Sequence, residues 1–129
     1  MAASSAGKHA LIVDDDRAVL RLIEQWLIGA GYSVVACDRF ETAKQYLAHT
    51  MPDILLTDVR LGAFNGLQLV ILAKDRGPHT IALVMSAFDD SLLHKEAVKR
   101  GARYLAKPFT RDQVLVALAD IPTVSTVTI

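Results

Sequence analysis

In "LIVDDDRAVL" (Leu11–Leu20), an apolar run ends in three consecutive carboxylates. Asp14, Asp15 and Asp16 place like charges on adjacent residues. Two such charges ~4 Å apart repel by ~4 kcal/mol at an effective dielectric of ~20. A chain that only had to fold would rarely end a buried strand in this way. Two things then need explaining: what structure "ALIV" (Ala10–Val13) belongs to, and what the carboxylates face.

Four further apolar runs resemble the first: "SVVA" (Ser33–Ala36), "DILLT" (Asp53–Thr57), "IALVM" (Ile81–Met85) and "YLA" (Tyr104–Ala106). None alternates with polar residues, which suggests strands buried on both faces, as in a parallel sheet. The stretches between them have helical spacing. In Arg17–Ala30, Val19, Leu22, Ile23, Trp26, Leu27 and Ala30 fall on one 3.6-residue face. Gly31 follows as a stop signal. Asp38 with Glu41 has capping-box spacing before a helix over Phe40–His49. Asn65 could cap Gly66–Arg76, and Asp89 or Asp90 a helix running to Arg100, with Gly101 after it. Thr110 with Gln113 repeats the capping box before Arg111–Asp120.

The pattern is β-α five times over: an α/β fold, a doubly wound parallel sheet with helices on both faces. A length of 129 residues, 52% of them apolar, suits one ordered domain. Residues 1–7 are small and polar and read as a flexible segment. The domain is placed at 8–120, and a β-branched, polar tail at 121–129, after which no second domain is read. Fourteen basic and fourteen acidic residues balance, so net charge gives no argument for nucleic acid. One cysteine, Cys37, excludes an internal disulfide and a Cys-rich metal site. No apolar run suits a membrane span and the first ten residues lack the apolar core of a signal peptide, so a cytoplasmic location is expected. His9, His49, His79 and His94 have no ligand spacing.

Ligands of such sheets sit beyond the carboxyl ends of the strands. There the sequence places Asp14, Asp15 and Asp16 after strand one, Cys37 and Asp38 after strand two, and Asp58 after strand three. Ser86 follows strand four, and Lys107 and Pro108 follow strand five. Clustered carboxylates without His or Cys suit a hard divalent cation such as Mg²⁺. A carboxylate beside a cation can act as a nucleophile toward phosphorus. A lysine and a hydroxyl can stabilise charge on transferring phosphoryl oxygens. Asp16 is the best placed of its trio to cap the first helix.

These residues resemble the receiver domain of two-component response regulators. The resemblance covers about Lys8 to Ala119 and rests on "VDDD", "PDILLTD" with Gly66 eight residues on, "SA" after strand four and "KPF" after strand five. It implies a flavodoxin-like (βα)5 fold with strand order 2-1-3-4-5. It implies that Asp58 accepts a phosphoryl group from a histidine kinase or histidine phosphotransfer protein. Asp15 would bind Mg²⁺ (or Mn²⁺) directly, Asp14 through water, and the Arg60 backbone carbonyl would complete the protein ligands with Asp58. Ser86 would be the switch hydroxyl, Lys107 the lysine that pairs with the phosphoryl group, and Tyr104 the aromatic that changes rotamer. A core tyrosine with a satisfied hydroxyl would look identical in sequence. The Lys107–Pro108 bond would be cis. The domain would be a signalling switch rather than an enzyme, assisting only its own phosphotransfer and slow autodephosphorylation.

Arg60, Ala87 and Phe88 would flank the phosphoryl site. Neither Arg60 nor Phe88 is a carboxylate or carboxamide suited to orienting an attacking water, so a long-lived phosphoryl group is expected. Gly62 stands where many receivers have proline, which implies a looser loop. Only two residues separate Gly101 from Tyr104 where three are common, which implies an altered exit from the fourth helix. Lys95, Lys99, Arg100, Arg103 and Arg111 lie near the fourth-helix, fifth-strand and fifth-helix face. They fit a solvated face and a homodimer or output-domain surface equally well. No direct contact with nucleic acid or membrane is expected. Two alternatives stand beside this reading. A phosphorylation-independent interaction domain (a pseudo-receiver) would not need the intact acidic pair, acceptor, hydroxyl and lysine. A flavin or dinucleotide enzyme would need a glycine-rich loop where "DDDRAV" stands.

Overall fold

The computed structural model describes residues 8–87 and 90–119. The expected flexible segment 1–7, the tail 121–129 and Phe88 lie outside them. Five strands form one parallel sheet: β1 (His9–Val13), β2 (Ser33–Cys37), β3 (Ile54–Asp58), β4 (Ile81–Ser86) and β5 (Arg103–Ala106). Their order is β2-β1-β3-β4-β5 and every neighbouring pair is parallel. The helices are α1 (Arg17–Gly29), α2 (Phe40–His49), α3 (Leu67–Arg76), α4 (Ser91–Lys99) and α5 (Arg111–Leu118).

The strands alternate between two cores. Ala10 and Ile12 of β1, Ile54 and Leu56 of β3, and Leu83 and Met85 of β4 pack with α1 and α5. Leu11, Val13, Leu55, Ala82 and Val84 pack on the other face with α2, α3 and Ala97 of α4. This is why "ALIV", "ILL" and "ALVM" are unbroken apolar runs: each residue faces one core or the other. β2 and β5, at the sheet edges, are half-buried.

The helix boundaries follow local chemistry. The Asp16 carboxylate accepts from the N–H groups of Ala18 and Val19. Asp90 caps α4 through Leu92 and Leu93, and Asp89 lies outside the described residues. Thr110 and Gln113 form the reciprocal capping box of α5. Asn65 accepts from the Leu67 N–H at 2.8 Å, while Gly66 occupies the position before α3. Asp38 is not the cap of α2. Arg39 occupies that position without a side-chain bond, and Asp38 instead pairs with the Arg17 guanidinium at 2.9 Å. The helix starts one residue too late for the Asp38–Glu41 spacing to close a capping box.

Two departures from the expected pattern resolve as regular structure. α4 ends in a Schellman motif: Ala102 N–H donates to the Ala97 carbonyl, Gly101 N–H to that of Val98, and Gly101 has φ +82°. The shortened exit is therefore an ordinary helix stop. The loop after β3 is not loose either. Arg60–Leu61 and Phe64–Asn65 pair as a two-stranded antiparallel hairpin outside the main sheet. Gly62, at φ +63°, takes the first central position of its turn, where a II′ hairpin needs glycine.

Gly66 is set by close approach. A Cβ built there would lie 2.0 Å from the Asp58 carbonyl oxygen and 2.8 Å from Thr57 Oγ1. Gly66→Ala should cost about 2 kcal/mol, as overpacking a tight site does, and should shift the backbone at Asp58. Urea melts beside Asp58 chemical shifts in the variant check both parts.

Candidate functional site

Four strand ends converge above the sheet. Asp14, at the end of β1, is fully buried. Its Oδ1 accepts from the Asp16 N–H at 2.9 Å and its Oδ2 from Lys107 Nζ at 2.9 Å. Asp15 is exposed, and its Oδ2 accepts from the Gly62 N–H at 3.2 Å. Asp58, the last residue of β3, is 8% exposed. Its Oδ1 accepts from the Val59 N–H at 2.9 Å, and its Oδ2 lies 3.5 Å from Lys107 Nζ. Lys107 thus reaches both buried carboxylates from the far side of the sheet. Its backbone N–H extends the ladder to the Ser86 carbonyl at 2.7 Å, and the bond to Pro108 is cis.

The electrostatics follow from burial and like charge. Burial pushes the Asp58 carboxyl above the usual carboxylate range, and the charges of Asp14 and, less, Asp15 push the same way. Lys107 and the Val59 N–H oppose the shift without cancelling it. Burial alone would lower the Lys107 pKa. The hydrogen bond and charge of Asp14, with those of Asp58, outweigh that effect, and the net shift is upward. The site therefore concentrates negative charge beyond what one ammonium neutralises.

One oxygen from each of Asp14, Asp15 and Asp58 lies within 4.8 Å of the others. This donor set is all carboxylate, and no Cys or His joins it. It fits a hard, oxygen-coordinating divalent cation and not a soft metal. Beside it opens a cleft of about 340 Å³ whose lining includes Asp58, Arg60, Phe64, Ser86, Ala87 and Leu93. Ser86 is 4% exposed, on the last residue of β4. Arg60 and Ala87 sit at the rim, exposed; Phe88 lies outside the described residues.

Tyr104 stands apart from the carboxylates. Its hydroxyl accepts from the Asp90 N–H at 3.2 Å, and its ring stacks on His94 of α4 at 4.5 Å. The half-buried ring therefore contacts both the entry and the first turn of α4. Of the basic residues near this face, Arg103 donates to the Ala117 and Ala119 carbonyls at the end of α5, a helix-terminating role. Arg100 pairs with Glu96 one turn back.

Three features of this region go beyond the sequence reading: the bond from the Gly62 N–H to Asp15, the hairpin itself, and a parallel stack of Phe64 on Phe40 at 4.5 Å. The hairpin has a readable signal. In "RLGAFN" a glycine-led pair separates Leu61 from Phe64, which is two-residue hairpin spacing. The stack has none, because the two rings come from separate elements.

A family model described as the response regulator receiver domain matches residues 10–119. Among curated proteins, the DNA-binding transcriptional regulator NtrC of Klebsiella pneumoniae is 38% identical over 115 residues, covering 86% of this chain and 24% of that protein. The response regulator protein FleR of Pseudomonas aeruginosa is 34% identical over 110 residues, covering 84% of this chain and 23% of that protein. The chain spans about a quarter of the length of these relatives. Among solved structures, a Burkholderia pseudomallei response regulator with a phosphorylated aspartic acid, calcium ion and citrate has a TM-score of 0.81 at 28% identity, covering 88% of this chain and 67% of that one. The CheY-like receiver domain protein of Methanospirillum hungatei JF-1 has the same fold, with a TM-score of 0.79 at 24% identity, covering 84% of this chain and 88% of that one. A family model that spans almost all the described residues, on a sheet of order 2-1-3-4-5, makes this chain a member of the response regulator receiver domains of two-component signalling.

Proposed function

We propose that this domain is a phospho-accepting switch. Asp58 takes a phosphoryl group from a histidine kinase or histidine phosphotransfer protein, and the change in charge controls a partner or an output domain. The observation that carries this reading is Lys107 Nζ, 2.9 Å from Asp14 and 3.5 Å from Asp58, with Asp58 itself lining an open cleft that Ser86 shares. An acceptor, a fixed cation and a hydroxyl-bearing wall stand together there. The calcium ion and phosphorylated aspartic acid of the Burkholderia pseudomallei structure are in keeping with it.

In the transfer, an Asp58 carboxylate oxygen bonds to phosphorus as the donor's P–N bond breaks. The departing imidazole nitrogen keeps that electron pair and is protonated. Asp15, Asp14 through water, Asp58 and the Arg60 carbonyl would hold Mg²⁺ or Mn²⁺. When bound, that ion supplies charge neutralisation for the phosphoryl oxygens. The chain's own contribution is positioning and electrostatics. Lys107 offers an ammonium already tied to Asp14, so little reorganisation accompanies the reaction. Ser86 offers a hydroxyl across the cleft. Drawing Ser86 toward the new phosphoryl charge frees space beside Tyr104, which must leave its His94 stack and Asp90 bond to follow. Phosphorylation then biases a two-state equilibrium at the α4 face. With Arg60 at the rim in place of a water-orienting carboxamide, hydrolysis is slow.

Incubation with acetyl phosphate and Mg²⁺, followed by intact mass, tests the reading. Wild type should gain one phosphoryl adduct that decays slowly after the donor is removed. Asp58→Asn should gain none. An unmodified wild type in the presence of Mg²⁺ would leave the phosphorylation-independent interaction domain as the better account.

A further inference from the structure

The hairpin beside the acceptor is two residue pairs long, Arg60 with Asn65 and Leu61 with Phe64. A ladder that short does not hold itself in water. Beyond the bond from the Gly66 N–H to the Val59 carbonyl at its base, 2.7 Å, side chains fix it to the rest of the domain. Leu61 does so on one side, buried at 3% exposure in the core that includes α2 and α3. Phe64 does so on the other. Its ring stacks nearly parallel on that of Phe40, at 7° and 4.5 Å. Phe40 is itself buried and is the first residue of α2. Phe64 is 42% exposed and lines both the acceptor cleft and a neighbouring cleft that Asp15, Phe40 and Gly62 share.

The backbone between these anchors is the part that meets the carboxylates. Gly62 sends its N–H to Asp15 Oδ2, and Arg60 carries the carbonyl assigned above to the cation. An unanchored hairpin would let both swing away from Asp15, because nothing else in the turn is buried: Gly62, Ala63 and Asn65 are all exposed. We infer that Phe64 and Phe40 form an aromatic clamp that seats the hairpin on Asp15. Phe64 is thus a positioning residue for the cation site, although it offers that site no ligand. The inference rests on the cation site proposed above.

Calorimetric titration of Mg²⁺ into wild type, Phe64→Ala and Phe64→Tyr tests it, with amide exchange at Gly62 and Gly66 read on the same proteins without metal. A stacked aromatic pair is worth enough to raise the Mg²⁺ Kd about 3- to 10-fold in Phe64→Ala. Phe64→Tyr keeps the ring and should keep the wild-type Kd. Gly62 and Gly66 amides should exchange faster in the alanine variant only. A loss of stability without a role at the site would lower the melting temperature of Phe64→Ala and leave its Kd unchanged, which overturns the clamp. A wild type that binds no Mg²⁺ overturns the cation site. In that case unchanged Gly62 and Gly66 exchange in Phe64→Ala overturns the clamp as well, and faster exchange upholds its seating of the hairpin.

Discussion

Lys107→Ala should slow phosphorylation of Asp58 by about 10²- to 10³-fold, the cost of removing one preorganised donor to a developing oxyanion. It should also destabilise the metal-free domain by about 3 kcal/mol. The two effects share one cause. The ammonium is 19% exposed on its side chain and is bonded to Asp14, whose side chain is 1% exposed. Removing one member of a buried ion pair leaves the other charged and unpaired, which costs ~3–5 kcal/mol. Here two carboxylates lose their counterion together. Lys107 titrates above its ordinary 10.5 because Asp14 and Asp58 outweigh its burial. Its contribution is thus fully present below pH 10.5 and is lost as pH rises through the folded value. At the alkaline end, the stability gap between wild type and variant should close as pH rises through that value. Rates of adduct formation by intact mass, beside urea melts across pH, check both claims. A variant phosphorylated at the wild-type rate would remove Lys107 from the reaction.

The parts of this site that were legible in the sequence are those written in one residue at one strand end. Asp14, Asp58, Ser86 and Lys107 each follow an apolar run, and a parallel sheet brings the carboxyl ends of its strands to one edge. The five runs therefore located the cluster without any contact being known. Asp16, Asp90 and the Thr110–Gln113 box were legible because capping is a local bond with fixed spacing. Asp38 had the same spacing and failed. Its carboxylate had a partner 21 residues back in the chain, Arg17, that no local pattern reveals. The missing proline at Gly62 and the short Gly101–Tyr104 spacing suggested a looser loop and an altered helix exit, yet both glycines sit at positive φ in regular turns. A family comparison sees the lost residue; backbone chemistry sees the gained one. The Phe40–Phe64 stack and the Tyr104–His94 stack were illegible because each joins elements whose relative placement only the tertiary fold sets.

Asp58→Asn should melt above wild type at neutral pH without metal, by roughly 2 kcal/mol. Carboxylate oxygens within 4.8 Å of one another repel by ~3 kcal/mol per pair at an effective dielectric of ~20. Asp58 has two such neighbours and one ammonium at 3.5 Å, which is nearer to Asp14 than to Asp58. Asparagine keeps an oxygen for the Val59 N–H and removes the charge. The pH dependence fixes the sign. Burial first, then Asp14, raises the folded pKa of Asp58 above its ordinary 3.8, so the folded state holds its proton more tightly than the unfolded chain. Stability from this group is fully present below 3.8 and is lost as pH rises through the folded value. The advantage of the asparagine variant should accordingly shrink as the pH falls into that range. Mg²⁺ should act in the opposite sense. At a hundred times its Kd it stabilises wild type by about 2.7 kcal/mol, while Asp58→Asn has lost a ligand and gains less. Asp15→Asn separates the two effects. Its exposed carboxylate contributes less repulsion, so its metal-free melt should sit near wild type while its response to Mg²⁺ disappears. If Asp58→Asn instead melts below wild type in metal-free buffer at neutral pH, attraction to Lys107 outweighs the repulsion. The cluster of Asp14, Asp15 and Asp58 would then be stable without a cation, and its charge would need another explanation.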